Sequence, residues 1–422
     1  MKRSYVTTAM SFMLAGSALL AACGGAAETD QADAIGALQE AYAIADYERP
    51  EDLVASASRR LADNITAADI GRDFGVPDSK IPYPDTYWPF VDEGTDARWN
   101  PTATDARSPI EKFMAITRPS SLAKAKAWEH TNHGKAVPDV ADWFGHCPGW
   151  TGASMANAPI LHAVYAKSSG TGGIAACTEG QAGCVRFEIG DVNALMAEVY
   201  NDGDYAFIGA RCDTSPASIP RDASGRVTKD GCRGVNAGSL LIAASTLMKK
   251  AHLPFALDAQ TPTNTDQIWN QPAYRYHVYD FQPLTEAQAA NLVAHGQKTG
   301  AETRYRWNAD AHGFAFVDLG LKWVSEYGPN RTVYSGSRST RETRVMAVIE
   351  LSADASNPSA TILGGEYLDI ARTSSNRLTV PPFLWVINAA GQDNLPTTVN
   401  GDYHNPYIQP SVVKQLIALG QR

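Results

Sequence analysis

The chain has 422 residues, which is long for one domain and predicts two or three. Hydrophobic residues make up 44% of it, enough for a large core, so the composition is that of a globular protein. The formal net charge of -9 argues against nucleic acid as the main partner and against a basic membrane-binding face.

The first residues predict export. Lys2 and Arg3 precede an apolar stretch from about 9 to 19, which is too short to span a membrane permanently. Leu20-Ala21-Ala22-Cys23-Gly24 resembles a bacterial lipobox, in which the cysteine is lipidated and becomes the first mature residue. Residues 1–22 are therefore predicted to be a lipoprotein signal peptide, and Cys23 to anchor the protein to a membrane of a bacterial cell envelope. An ordinary secretory peptide cut nearby is the alternative.

Residues 34–127 are predicted to form a helical and proline- and aromatic-rich N-terminal region. Residues 23–33 form a tether before it, apolar spacing predicts a helix over 34–45, and a second helix is predicted over 51–63. The segment 74–109 is rich in proline, aspartate and aromatic residues, which excludes a long helix. A helical pattern returns over 110–131. Residues 34 to about 110 could cover the functional site before processing.

The most informative stretch is Trp143-Phe144-Gly145-His146-Cys147-Pro148-Gly149-Trp150, followed by small residues. It predicts a tight turn that leads into a helix with Cys147 at its N-terminus. The positive end of the helix dipole lowers the pKa of a thiol there, as a cysteine nucleophile requires. The alternative is a small buried cysteine in a helix-start turn.

The C-terminal half predicts mixed structure. Residues 184–189 alternate as a strand does, Asp191 would cap a helix that runs to about Tyr200, and 240–250 reads as another helix. Pro254 to Asp258 resembles a buried strand that ends in a carboxylate. Further β-prone segments are 274–279, 313–319, 344–351 and 360–367. Helices followed by several antiparallel strands indicate an α+β fold.

Five of the six cysteines lie beyond the predicted lipid anchor. Because an exported protein meets an oxidising environment, paired cysteines are the default. Cys177 with Cys184 and Cys212 with Cys232 each bracket a polar loop, so both pairs are predicted disulfides. Cys147 is left over, which favours a functional thiol. No Cys-x-x-Cys pattern or clustered His/Cys signature is present, so no zinc site and no cofactor is predicted.

Several ordered motifs resemble the transglutaminase elicitor family, known from cell-wall transglutaminases of oomycete plant pathogens and from bacterial relatives. The main motif, Trp269-Asn270-Gln271-Pro272 with Val278-Tyr279-Asp280, resembles the elicitor peptide of that family. Other similar pieces are Trp128-Glu129 with Asn132-His133-Gly134, the Cys147 stretch, Cys232-Arg233-Gly234-Val235-Asn236-Ala237-Gly238, Ile362 to Tyr367, and Pro381 to Trp385. Together they cover roughly residues 85 to 390.

The resemblance implies a papain-like or transglutaminase-like cysteine-enzyme core over 128–395, with a C-terminal tail over 396–422. Cys147 would attack a protein glutamine, release ammonia and pass the acyl group to an amine, or to water in deamidation. A backbone N–H, or the indole of Trp143 or Trp150, could stabilise the oxyanion. The partners would be protein glutamine and amine substrates.

The catalytic base is where this chain departs from the family. Family members place histidines where this chain has Leu241 and Val380. The substitutes are His252, His133 and His146, and no single one stands out. Asp258 is the best candidate for an orienting carboxylate, and a strand-end cap is its other interpretation.

Three functions therefore stay open from the sequence. The first is an exported cysteine acyltransferase that cross-links or deamidates proteins. The second is a weakly active or inactive member of the same fold that serves as a binding or adhesion module on the envelope, which the missing histidines favour. The third is a cysteine peptidase, which would use the same groups for hydrolysis.

Overall fold

A large antiparallel sheet organises the fold in this computed structural model. The structure describes residues 44–422, except 46–47, 202, 204, 211, 213, 215–217, 221–226, 260–266, 330–335, 337, 369–380 and 388–403. The predicted signal peptide, Cys23, the tether, nearly all of the predicted helix over 34–45, and Val380 lie outside the described residues. No described helix has the length and apolar character needed to cross a membrane.

The N-terminal region has shorter helices than the sequence predicts. The helices are α1 (Pro50–Leu53) and α2 (Leu61–Asn64), so the prediction of one helix over 51–63 is wrong. The backbone is extended at Val54, and the Asn64 side chain donates to the carbonyls of Ser58 and Arg60, which holds the intervening chain as a loop. The following segment 74–109 contains only short turns and the end of a three-residue strand, β1 (Asp73–Gly75), in agreement with its prolines.

The described middle and end of the chain contain seven further α-helices: α3 (Pro109–Thr117), α4 (Leu122–Asn132), α5 (Cys147–Ala156), α6 (Ile189–Tyr200), α7 (Ala237–Ala244), α8 (Glu286–His295) and α9 (Pro410–Gly420). The helical pattern predicted over 110–131 is thus split at Pro119, which cannot continue a helix. Helix α7 runs on into a wider π-helical turn, Ser245–Ala251.

The start of α6 corrects one prediction. The residue that caps this helix is Glu188, and Asp191 lies three residues later. The two side chains bond each other's backbone N–H groups in a capping box. Asp191 also pairs with the buried Lys112 at 2.6 Å and accepts from Trp99 Nε1 at 2.9 Å, so α6 is tied to α3 and to the aromatic segment.

The strands form two sheets. A small sheet contains β2 (Val164–Ser168), β3 (Ile174–Ala176) and β4 (Val185–Phe187). The large one contains β5 (Tyr205–Gly209), β6 (Phe255–Asp258), β7 (Asn270–Leu284), β8 (Gly313–Val324), β9 (Thr340–Leu351), β10 (Ile362–Tyr367) and β11 (Phe383–Ile387), with β1 also paired to β7. Its order is β10-β9-β8-β7-β6-β11-β5, and each pairing is antiparallel. The predicted α+β class with an antiparallel sheet is confirmed.

Most buried apolar side chains of the described residues belong to two large hydrophobic cores. Helix α7 packs against one face of the large sheet, and its Leu241, which stands where the family has a histidine, is buried there. The second core surrounds α6, which is buried along its whole length, and receives α3, the small sheet and α9. Helix α5 lies between α6 and strands β6, β7 and β11. The N-terminus of α5 is therefore held by both layers.

Both predicted disulfides are confirmed. Cys177 is bonded to Cys184, and Cys212 is bonded to Cys232. Cys147 is in neither disulfide and is buried.

Candidate active site

Cys147 is the first residue of α5, as the sequence predicts. His146 precedes the helix, and Pro148 occupies a first-turn position where its missing N–H and fixed φ favour helix initiation. The Cys147 side chain is 0% exposed. A thiol at this position lies in the positive field of the helix N-terminus, which stabilises its thiolate form.

Two glycines allow the close packing that positions this turn. A Cβ on Gly149 would lie 1.9 Å from the Ala197 carbonyl oxygen, so α5 and α6 approach each other backbone to backbone. A Cβ on Gly145 would lie 2.3 Å from the Tyr87 carbonyl oxygen. That same carbonyl accepts the N–H of His146 at 2.6 Å. The aromatic segment and α6 therefore hold the cysteine turn from two sides.

The acid group beside the thiol is Glu326, which follows β8. Cys147 Sγ lies 3.8 Å from Glu326 Oε1, within the distance of a hydrogen bond to sulfur. Gln271 Nε2 donates to the same oxygen at 3.2 Å. Burial raises the pKa of Glu326 to about 7, although the donors from Gln271, Cys147 and Trp150 act to lower it. A carboxyl group with this pKa can accept and return a proton near neutral pH.

Two polar N–H groups face the thiol region. Gln271 is the second residue of β7, within the elicitor-like motif, and its side chain is buried. The buried indole of Trp150 lowers the pKa of Glu326 through its N–H, yet Nε1 makes no hydrogen bond of normal geometry within the described residues. Both groups can stabilise negative charge that develops on a substrate oxygen near Cys147.

The aromatic segment also borders this site. Burial raises the pKa of Tyr87 to about 12, and the charges of Glu326 and, less strongly, Cys147 add to this shift. The ring makes an edge contact with Trp269 at 5.4 Å, and its hydroxyl donates to the Asp142 carbonyl at 2.9 Å. The carbonyl of Asp85 accepts from Tyr327 N at 2.9 Å, next to Glu326. Tyr87 and Trp269 thus pack against each other beside the site.

The predicted histidines lie elsewhere. His252 is exposed, has a left-handed backbone with φ 53°, and places Nδ1 3.2 Å from the Gly75 carbonyl, which is no position from which to deprotonate a buried thiol. Neither ring nitrogen of His146 makes a hydrogen bond, so this residue does not bond the Cys147 thiol either. His133 and His146 instead face Glu129 and Glu198 in a buried cluster. Burial lowers the pKa of His146.

Asp258 ends β6, as predicted, and is fully buried. Its Oδ1 accepts the Trp269 N–H at 2.9 Å, which holds the chain on both sides of the 260–266 segment together. Beside it, Asn270 accepts from the Trp385 indole at 2.8 Å through Oδ1, and its carbonyl accepts from Thr151 at 2.8 Å. The elicitor-like motif therefore ties the cysteine helix to the sheet.

Sequence reasoning missed Glu326 and the Glu129–Glu198 pairing. Glu326 is 179 residues from Cys147, and the residues around it form no recognisable motif. Glu129 lies on α4 and His133 caps the C-terminus of that helix four residues later, a spacing that brings both side chains to one side of the helix. That spacing was the available signal for the buried cluster.

Comparison with known proteins identifies the family and supports the fold. A family model described as transglutaminase elicitor matches residues 117–406. The chain belongs to the transglutaminase elicitor family. The solved structure of the GP42 transglutaminase from Phytophthora sojae is similar to it, with a TM-score of 0.59 and 18% identity, over 90% of this chain and 99% of that one. At this identity the likeness concerns the fold. No curated protein matches the chain.

Truncating Tyr87 is expected to make the cysteine of this family member more reactive. In Tyr87→Ala, Cys147 should react with a thiol reagent severalfold faster than in the wild type, because a large ring near the thiol is gone while the Tyr87 carbonyl still bonds His146. The measurement is the labelling rate of the native protein. Tyr279→Ala, at an exposed tyrosine on β7, is the control and should leave the rate unchanged. Equal rates in all three proteins would show that Tyr87 does not restrict access to the thiol.

Proposed function

We propose that the chain is an exported cysteine acyltransferase that acts on protein glutamine side chains through a thioester on Cys147. The observation that carries this proposal is the pair formed by Cys147 Sγ and Glu326 Oε1 at 3.8 Å, at a helix N-terminus, with the pKa of Glu326 raised to about 7. In this pair Glu326 is the general base, a role for which the sequence offered no single histidine.

The acylation step follows from these positions. Glu326 takes the proton from the Cys147 thiol, and the thiolate attacks the carboxamide carbon of a substrate glutamine. Gln271 Nε2 and Trp150 Nε1 donate to the oxygen of the tetrahedral intermediate. The protonated Glu326 then gives its proton to the leaving nitrogen, so that ammonia departs and a thioester remains.

The second step regenerates the thiol. An amine attacks the thioester carbonyl, and Glu326 accepts the proton that the amine nitrogen loses. The C–S bond breaks, the proton returns to sulfur, and an isopeptide or amide bond has formed. When water replaces the amine, the same sequence yields glutamate, which is deamidation.

The predicted setting supports an extracytoplasmic enzyme. Two disulfides fit an oxidising compartment. With the lipobox-like residues before Cys23, they support a lipid anchor in a bacterial envelope and protein substrates near the membrane surface.

One observation favours the second candidate, a binding module of the same fold. Cys147 is 0% exposed, so a glutamine side chain reaches the thiol only after neighbouring residues move. An envelope protein that no longer performs the chemistry would need no such movement.

The deciding experiment measures incorporation of a labelled primary amine into a glutamine-rich acceptor protein, together with ammonia release. The mature chain is compared with Cys147→Ala. Labelling that depends on Cys147 supports the acyltransferase, and ammonia release without labelling supports a deamidase. A folded, reduced protein that gives neither product favours the binding module, and fragments of the acceptor would indicate a peptidase.

A further inference from the structure

Four buried side chains meet behind the cysteine turn: Glu129 on α4, His133 directly after α4, His146 before α5, and Glu198 on α6. One ligand atom from each lies within 4.8 Å of all the others. Glu129, Glu198 and His146 are 0% exposed, and His133 is 3% exposed. The cluster is separate from the Cys147–Glu326 pair, and the proposed reaction does not use it.

The distances in the cluster are close to the spacing of ligand atoms around a metal ion. His146 Nε2 lies 3.2 Å from Glu198 Oε2 and 3.5 Å from Glu129 Oε1. His133 Nδ1 lies 3.4 Å from Glu198 Oε1 and 3.9 Å from Glu129 Oε2. Both nitrogens are buried, and neither makes a hydrogen bond. Ligand atoms bonded at roughly 2.0–2.1 Å around a tetrahedral ion are separated by about 3.4 Å.

The negative charge of the two carboxylates in the cluster also favours the binding of a cation. Two carboxylates are buried together, and within the described part of the chain no lysine or arginine forms an ion pair with either. Burying such a pair without compensation is costly. A divalent ion between two carboxylates and two neutral imidazoles makes the group neutral.

The surroundings resemble the outer shell of a metal site. Thr95 donates its N–H and its hydroxyl to Glu129 Oε1 at 3.0 and 2.7 Å, and Asn405 Nδ2 donates to Glu129 Oε2 at 3.2 Å. The backbone N–H of Asn405 donates to Glu198. Phe90 stacks on His133 with ring centres 5.1 Å apart and meets His146 edge-on. Oriented carboxylates and an aromatic wall keep ligands in place and water out.

We propose that His133 Nδ1, His146 Nε2, Glu129 and Glu198 bind a structural divalent metal ion of the zinc class. Two imidazoles and two carboxylates suit Zn²⁺ and its close relatives, whereas Ca²⁺ and Mg²⁺ prefer oxygen ligands alone. Four protein ligands in a buried site leave no open position for substrate, so the ion is structural. It joins α4, α6 and the residue before Cys147, and thereby holds the nucleophile helix in place.

The first test is the metal content of the full mature chain, purified with a non-histidine tag and without chelators. We expect about one zinc per chain. Removal by a strong chelator should lower the Tm by about 5 °C or more, and Zn²⁺ or Co²⁺ should restore it. The restored Co²⁺ protein should show the visible absorption of a tetrahedral site. The proposal would be overturned by a folded protein that contains no bound metal and whose Tm does not change when Zn²⁺, Co²⁺ or Mn²⁺ is added.

Two variants make the test specific to this cluster. Glu129→Gln keeps the shape of the side chain and should reduce bound zinc to below about a tenth of an equivalent and lower the Tm. If the four side chains shared protons without a metal ion, Glu129→Gln should instead raise the Tm, because a neutral glutamine would relieve the repulsion between the two carboxylates. His130→Ala removes an exposed histidine of the same helix, which pairs with Glu93, and should retain one zinc. Equal metal loss in the two variants would refute the assignment.

Discussion

Replacing Glu326 by glutamine is expected to lower kcat/KM for amine incorporation by about 10²- to 10⁴-fold, the usual contribution of a general base. Glutamine keeps the size of the side chain and its contact with Gln271, but it cannot take the proton of Cys147. The wild-type rate should rise with pH through about 7, since the ionised carboxylate is the base and burial raises its pKa to that value. The variant should lack this titration.

The same substitution should stabilise the protein at alkaline pH. Because the pKa of Glu326 is raised from 4.5 to about 7 in the folded state, the folded protein holds this proton more tightly than the unfolded chain does. The stabilising contribution is complete below pH about 4.5 and is lost as pH rises to about 7. Glu326→Gln removes the cost of ionisation, so its free energy of unfolding at pH 8 should exceed that of the wild type by up to about 3 kcal/mol. At pH 4.5 the two should be nearly equal.

Activity and stability should therefore move in opposite directions in this one variant. Glu179→Gln, at an exposed carboxylate in the loop closed by Cys177 and Cys184, is the control and should change neither. Chemical denaturation at the two pH values and initial rates across pH 5 to 9 provide the measurements. An active Glu326→Gln enzyme with an unchanged pH profile would remove Glu326 from the mechanism.

Local features of the chain were predictable because local physics decides them. The turn before Cys147 follows from Gly145 and Pro148, and the β-prone segments within β7, β8 and β9 follow from their β-branched and aromatic residues. The errors have the same origin. Residues 51–63 were predicted to form one helix, but the Asn64 side chain bonds two backbone carbonyls and stabilises a loop instead.

The partners of the site could not be predicted, because they depend on how distant segments pack. Glu326 reaches Cys147 only when β8 pairs with β7 and the end of β8 turns towards α5. Because they lie near Cys147 in the sequence, His133 and His146 were candidates for the base, but their rings face Glu198 and Glu129. Closeness in the sequence therefore did not identify the group beside the thiol, which is Glu326.

The packing of α5 on α6 yields the second large effect. In Gly149→Ala the new Cβ would lie 1.9 Å from the Ala197 carbonyl oxygen, a backbone atom that cannot rotate away. The helices must separate by about 1 Å, and a displacement of this size at a reacting group costs about 10²-fold in rate. We expect kcat/KM to fall by that factor and the free energy of unfolding by about 1–3 kcal/mol.

Gly152→Ala is the matched control on the same helix. Its Cβ would lie 2.7 Å from the Tyr205 hydroxyl, at the far end of a side chain that can move, and alanine favours a helix interior by about 1 kcal/mol over glycine. This variant should keep its stability and most of its activity. Rates and denaturation curves of the two variants are measured side by side. If both lost activity equally, the helix as a whole would be intolerant of added volume, and the contact with Ala197 would not be what positions Cys147.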